Sequence, residues 1–302
     1  MEPRIQYAKT ADGVSIAFAT LWEGEPLLHL APSFSHIQME WEFPKVRHWL
    51  EGLAEKRMVV RYDWRGCGLS DRDATDYSLD ALVLDLEAVV EHLESARFSL
   101  AGSFDSGPPA IAYAVRHPER LSHLLLWCTY ARGRDAYGTP EARAWSALRN
   151  EDWNTFTETV SHAIAGWSDS ELAGWYAALM REATTRETMQ PMFAPIGEFD
   201  VTALLPRVTS PTLVLLRRST VWPPANLTRD LASRIPGAQL VALEGTSPAP
   251  FLGDAVAVLR AIDEFLGEDG KAATTAVPSG LVTILFTDME SSTALTQQLG
   301  DA

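Results

Sequence analysis

The segment FSLAGSFDSG, residues 98–107, constrains the fold more than any other stretch of the chain. A short apolar run enters Gly102, a tight turn follows, and Pro108 and Pro109 open a helix. Proline is tolerated there because first-turn N–H groups have no partner within a helix. Comparable apolar runs at 27–31, 58–63, 121–130, 211–218 and 239–243 read as strands, and 44–56, 78–95, 108–116 and 251–266 read as helices. Strands alternating with helices imply a mainly parallel, doubly wound sheet.

Local patterns agree with that plan. Residues 5–10 and 14–21 flank the turn pair Asp12-Gly13 and form a starting hairpin. Ser78 is placed to cap a helix in which Leu79, Leu82, Val83, Leu86, Val89, Val90 and Leu93 share one apolar stripe. From about 134 to 200 the strand signal stops and helical stretches rich in Trp, Ala and Met take over, as in an inserted helical cap. Residues 267–280 are small, polar and proline-containing, which suits a linker. A further strand is expected over 281–286.

With 46% apolar residues, the 302-residue chain can bury a large core, and a formal charge of −15 argues against a nucleic-acid partner. The N-terminal stretch has no apolar signal segment, and no apolar run reaches the roughly 20 residues a membrane helix needs. A cytoplasmic protein without a membrane partner is expected. Cys67 and Cys128 make no disulfide framework.

Two further motifs carry a family resemblance. YDWRGCGLSD, residues 62–71, resembles the DxRGxGxS turn of α/β-hydrolases, and RHPERLSHLLL, residues 116–126, lies at that family's usual distance from its nucleophile elbow. The resemblance covers residues 1–266 and implies an α/β-hydrolase fold with a helical cap. In active members GxSxG exposes a nucleophile at the turn, and acid and base follow later in the chain. Here Phe104 occupies the nucleophile position, Thr220 the acid position and Pro248 the base position, and no histidine follows His162. The family triad is therefore not intact. His36 and His162 stand alone, without metal-ligand spacing.

Loops at the carboxyl ends of parallel strands are where such sheets bind ligands. Ser33, Phe34, Phe104, Asp105, Thr220, Trp222 and Pro248 fall on those loops and are the expected ligand-binding residues. Trp145, Trp153, Trp167 and Trp175 either line that pocket or pack the cap against the core.

The tail, LVTILFTDMESSTALTQQLGDA over 281–302, resembles the start of a class III nucleotide cyclase domain. That resemblance implies Asp288 and Met289 as metal contacts and Mg²⁺ or Mn²⁺ as cofactor of a complete cyclase, with no cofactor for this chain. The expectation is then a non-catalytic hydrolase-like sensor that binds a small apolar or aromatic molecule and controls a dimeric adenylate or guanylate cyclase. The alternatives are an esterase-like hydrolase using Ser106 or Asp105 as an unorthodox nucleophile, and a structural dimerisation module.

Overall fold

A computed structural model describes residues 2–166 and 169–267. The strands are β1 (Arg4–Lys9), β2 (Ser15–Leu21), β3 (Pro26–His29), β4 (Met58–Tyr62), β5 (Phe98–Ser103), β6 (Leu121–Trp127), β7 (Thr212–Arg217) and β8 (Gln239–Leu243). They form one sheet in the order β1-β2-β4-β3-β5-β6-β7-β8. The hairpin β1–β2 and the β2–β4 pair are antiparallel, and every later pair is parallel. The doubly wound architecture expected from the strand–helix alternation is the one the chain adopts.

The central strands are apolar on both faces because helices cover both. On one face Leu28, Leu100, Leu124 and Val214 pack with Leu82, Leu86 and Val89 of α3 (Leu79–Val90), with Ala110 and Ile111 of α4 (Gly107–Arg116) and with Leu231 of α10 (Ala225–Arg234). On the other face Leu27, Val59, Leu125 and Leu213 pack with α1 (Ile37–Glu42), α2 (Pro44–Ala54) and α11 (Ala255–Gly267) through Trp41, Trp49, Leu53, Val258 and Ile262. Burying each such aliphatic side chain contributes roughly 1.5–3 kcal/mol.

Several expected boundaries shift for identifiable reasons. The strand expected over 121–130 ends at Trp127, since Cys128 has a φ of 42° and leaves the extended region. Helix α3 ends at Val90 rather than Ser95, where His92 N and Leu93 N turn to the carbonyls three residues back. The last helix begins at Ala255 rather than 251, with the Asp254 carboxylate accepting from Ala257 N at 2.9 Å.

The DxRGxGxS turn is held by buried acids. Asp63 accepts from Ile37 N and Leu69 N at 3.1 and 2.9 Å, which ties the loop after β3 to the turn. Arg65 donates to Asp85 of α3 at 2.7 and 2.9 Å and to Asp12 of the first hairpin turn at 2.8 Å.

Between β6 and β7 lie α5 (Gly133–Tyr137), α6 (Pro140–Glu151), α7 (Trp153–Ala165), α8 (Ser170–Ala183) and α9 (Arg186–Glu198). Thr139, Asp152, Asp169 and Thr185 each cap the helix that follows, satisfying a first-turn N–H. These are the helices expected of a cap. Of the linker expected over 267–280, Gly267 closes α11 and the rest lies outside the described residues, as do the tail strand, Asp288, Met289 and Trp167. No helix among the described residues is long and apolar enough to cross a membrane.

Candidate functional site

The parallel strands β3, β5, β6 and β7 end toward the cap, and the turn after β5 is the most constrained of these ends. Phe104 sits there with φ 50°, a left-handed backbone that a non-glycine residue adopts only when its surroundings hold it. Three contacts do so. Ser106 Oγ accepts from Ser103 N at 2.7 Å and donates to Ser103 O at 2.8 Å, and Thr129 Oγ1 donates to the Phe104 carbonyl at 2.6 Å.

Close approach of the backbone completes the turn. A Cβ on Gly107 would lie 1.9 Å from Thr129 Oγ1, so only glycine lets α4 start against the segment that follows β6. Gly107→Ala is expected to lower unfolding free energy by about 1–3 kcal/mol, since Thr129 is fully buried and has no room to retreat. Urea denaturation of the variant against the parent checks this.

Above the turn a cavity of about 170 Å³ separates sheet from cap. An apolar cavity of about 150 Å³ is enough to hold benzene, so this one admits a small aromatic ring or a short acyl chain. Ser33, Phe34, Phe104, Asp105, Trp222 and Pro248 all line it. Thr220 does not: its hydroxyl turns back onto the Pro223 carbonyl at 2.9 Å, which corrects its expected place in the binding site. The Phe104 and Trp222 rings stack with centroids 6.2 Å apart. Of the cap tryptophans Trp145 lines the cavity, whereas Trp153 stacks on Phe156 and Trp175 on Phe43 as packing groups.

Asp105 is the polar centre of the floor. Its Oδ1 accepts from the Tyr130 and Tyr137 hydroxyls at 2.6 and 2.7 Å, and its Oδ2 accepts from Ser33 Oγ at 2.7 Å. Burial pushes the carboxyl above the ordinary aspartate range, and the three hydroxyl donors pull in the opposite direction without cancelling it. Ser106, the other candidate nucleophile, is fully buried, is absent from the cavity lining and spends its hydroxyl on the turn. The tyrosines were not legible as site residues, although Tyr130 follows the end of β6, where a polar tip meets the ligand face of the sheet.

A second polar pair, Glu40 and Arg61, also lines the cavity and is joined by an ion pair that makes it neutral. His29 beside it is pushed down to about 3 by burial first and by the Arg61 charge second, so its ring is uncharged. His36 caps α1 through Met39 N. Among the described residues no cluster of His, Cys, Asp and Glu is arranged to hold a metal ion.

Comparison with known proteins places this geometry. The model of the alpha/beta hydrolase family matches residues 28–261. A Pseudomonas syringae protein provisionally named carbamate hydrolase RutD is 27% identical over 73% of this chain and 88% of its own length. A pimeloyl-[acyl-carrier protein] methyl ester esterase from Nitrosomonas europaea is 26% identical over 67% of this chain and 82% of its own. The solved structure of an esterase from Exiguobacterium antarcticum superposes with a TM-score of 0.75 at 21% identity, covering 87% of this chain and 99% of the other. These matches overturn the expectation of a non-catalytic sensor for a class III cyclase, with its pseudoenzyme and signalling roles. The similarity is to hydrolases across most of the chain, whereas the cyclase reading rested on a short tail motif.

Proposed function

Because the chain belongs to the alpha/beta hydrolase family, we propose that it hydrolyses a small, mainly apolar ester, lactone or carbamate held between sheet and cap, with Asp105 as the acid–base group. The observation that carries this reading is the polar floor: one buried carboxyl, positioned by three hydroxyls, at the base of an otherwise largely apolar cavity. The names of the relatives, an ester hydrolase and a carbamate hydrolase, supply the bond class.

Phe104 excludes a serine ester intermediate at the elbow, so the attacking oxygen comes from water. Asp105 takes a proton from that water as its oxygen bonds to the substrate carbonyl carbon. Negative charge then develops on the carbonyl oxygen as the tetrahedral intermediate forms. When the bond to the leaving oxygen or nitrogen breaks, Asp105 returns the proton to it. A carboxyl raised by burial is a stronger base than an exposed aspartate, which suits it to this role near neutral pH.

Incubation of the purified protein with p-nitrophenyl acetate, p-nitrophenyl butyrate and a γ-lactone tests the reading. The base must be ionised, so the rate is expected to rise with pH through a pKa above the ordinary aspartate range. No hydrolysis above buffer for any of the three between about pH 5 and pH 9 overturns it.

A further inference from the structure

Most buried arginines in this molecule have a carboxylate: Arg57 pairs with Asp263, Arg61 with Glu40, and Arg65 with Asp12 and Asp85. Arg217 instead donates to two carbonyls, Glu244 O at 2.6 Å and Leu252 O at 2.5 Å. Arg149, half-buried, differs from all of them. It projects from cap helix α6 into the cavity lining, and among the described residues its guanidinium has neither an ion pair nor a hydrogen bond. The Phe193 ring lies 4.6 Å below its guanidinium carbon.

This is a costly arrangement for a protein alone. Burial disfavours the charge of Arg149, and its Nε is shut away from solvent without an acceptor. The Phe193 face offers a cation–π contact but no hydrogen-bond acceptor. Glu40 in the same cavity is already committed to Arg61, and among the described residues no ion pair or hydrogen bond joins Arg149 to Asp105. The cavity therefore holds one cation with no acid of its own, close to Tyr137 and so to the Asp105 floor.

We propose that Arg149 is the recognition group for a carboxylate carried by the ligand. The cavity then takes a compact acid: an aromatic or short aliphatic body against Phe104, Trp222 and Val160, and an anionic oxygen pair on the cap guanidinium. A guanidinium matches a carboxylate with two parallel donors, which fixes orientation as well as charge. Extending this from ligand to substrate, an ester or lactone bearing a free carboxylate, rests on the hydrolytic reading above; the binding claim does not.

The test compares 3-phenylpropanoate with 3-phenylpropan-1-ol, a neutral probe of nearly the same shape, by quenching of intrinsic tryptophan fluorescence. Trp145 and Trp222 line the cavity and report occupancy. The parent protein is expected to bind the acid about 30-fold more tightly than the alcohol, as a charge-assisted pair supplies. In Arg149→Gln that ratio is expected to fall below about threefold, and Arg149→Lys, which keeps the charge but not the fork, falls between. Equal binding in the parent, no binding of either probe, or a preference that survives Arg149→Gln overturns the proposal. Neither probe contains a hydrolysable bond, so the two claims fail separately. Acid binding through Arg149 without ester turnover sinks hydrolysis alone, and turnover of neutral esters without acid preference sinks Arg149 recognition alone.

Discussion

Asp105→Asn is expected to lower ester turnover by about a hundredfold to ten-thousandfold, the range for loss of a positioned general base. The substitution is informative because it removes basicity while disturbing little else. The amide oxygen at the Oδ1 position still accepts from Tyr130 and Tyr137, and the amide nitrogen meets Ser33 Oγ, which can turn from donor to acceptor. The fold should therefore lose no more than about 1–2 kcal/mol. Asp105→Leu has a different signature, since three buried hydroxyls lose their acceptor together and stability drops along with activity. Initial rates across pH, paired with urea melts of both variants, separate the two effects. An Asp105→Asn protein that keeps the parent rate shows that some other group moves the proton.

Arg65→Met is expected to cost about 3–5 kcal/mol of stability, the range for breaking a buried ion pair from one side. Arg65 is 1% exposed at its side chain and Asp85 is 0% exposed, so solvent does not take over when the cation is lost. Even with Arg65 present, burial raises the Asp85 carboxyl to about 6. Without the guanidinium it rises further. A carboxyl raised in the folded state above its unfolded value favours folding at low pH and loses that contribution as pH climbs through the folded pKa. The deficit of Arg65→Met should thus be smaller near pH 5 than near pH 8. Adding Asp85→Leu removes the stranded charge and should recover most of the loss. Urea unfolding of the parent, the single variant and the double variant at both pH values gives the comparison, and a pH-independent deficit contradicts the argument.

What the sequence makes legible is what is encoded locally. The Asp12-Gly13 turn, the glycine at 102, the proline-initiated helix after it and the Ser78 cap each follow from a few adjacent residues, and the structure contains all of them. The DxRGxGxS motif likewise marks a turn whose acids hold backbone N–H groups. Boundaries shift where a single backbone torsion decides, as at Cys128, because no residue-type rule places a cysteine in the left-handed region.

The candidate site is legible only in part, for a physical reason. Loop residues at strand ends are placed by topology, and six of the seven expected ligand contacts share one cavity, since Ser33, Phe34, Phe104, Asp105, Trp222 and Pro248 all line it. Thr220 departs because its hydroxyl finds a nearer acceptor within its own turn. Tyr130 and Tyr137 escape notice because a hydroxyl declares its role only when a distant carboxylate is seen beside it. Arg149 escapes because its significance lies in a partner it lacks. The tail motif misleads in the opposite way: a few residues with a specific pattern outweighed a much longer family match.

The turn at Phe104 has one more implication. Everything that fixes its backbone comes from other residues: the Ser103–Ser106 pair, the Thr129 hydroxyl on its carbonyl, and the bare Gly107 against the segment that follows β6. The phenyl ring, stacked on Trp222, makes none of these hydrogen bonds. The bend is therefore a socket, and the side chain plugged into it is exchangeable at little conformational expense. A lineage built on such a socket exchanges the residue at the elbow while inheriting the scaffold intact.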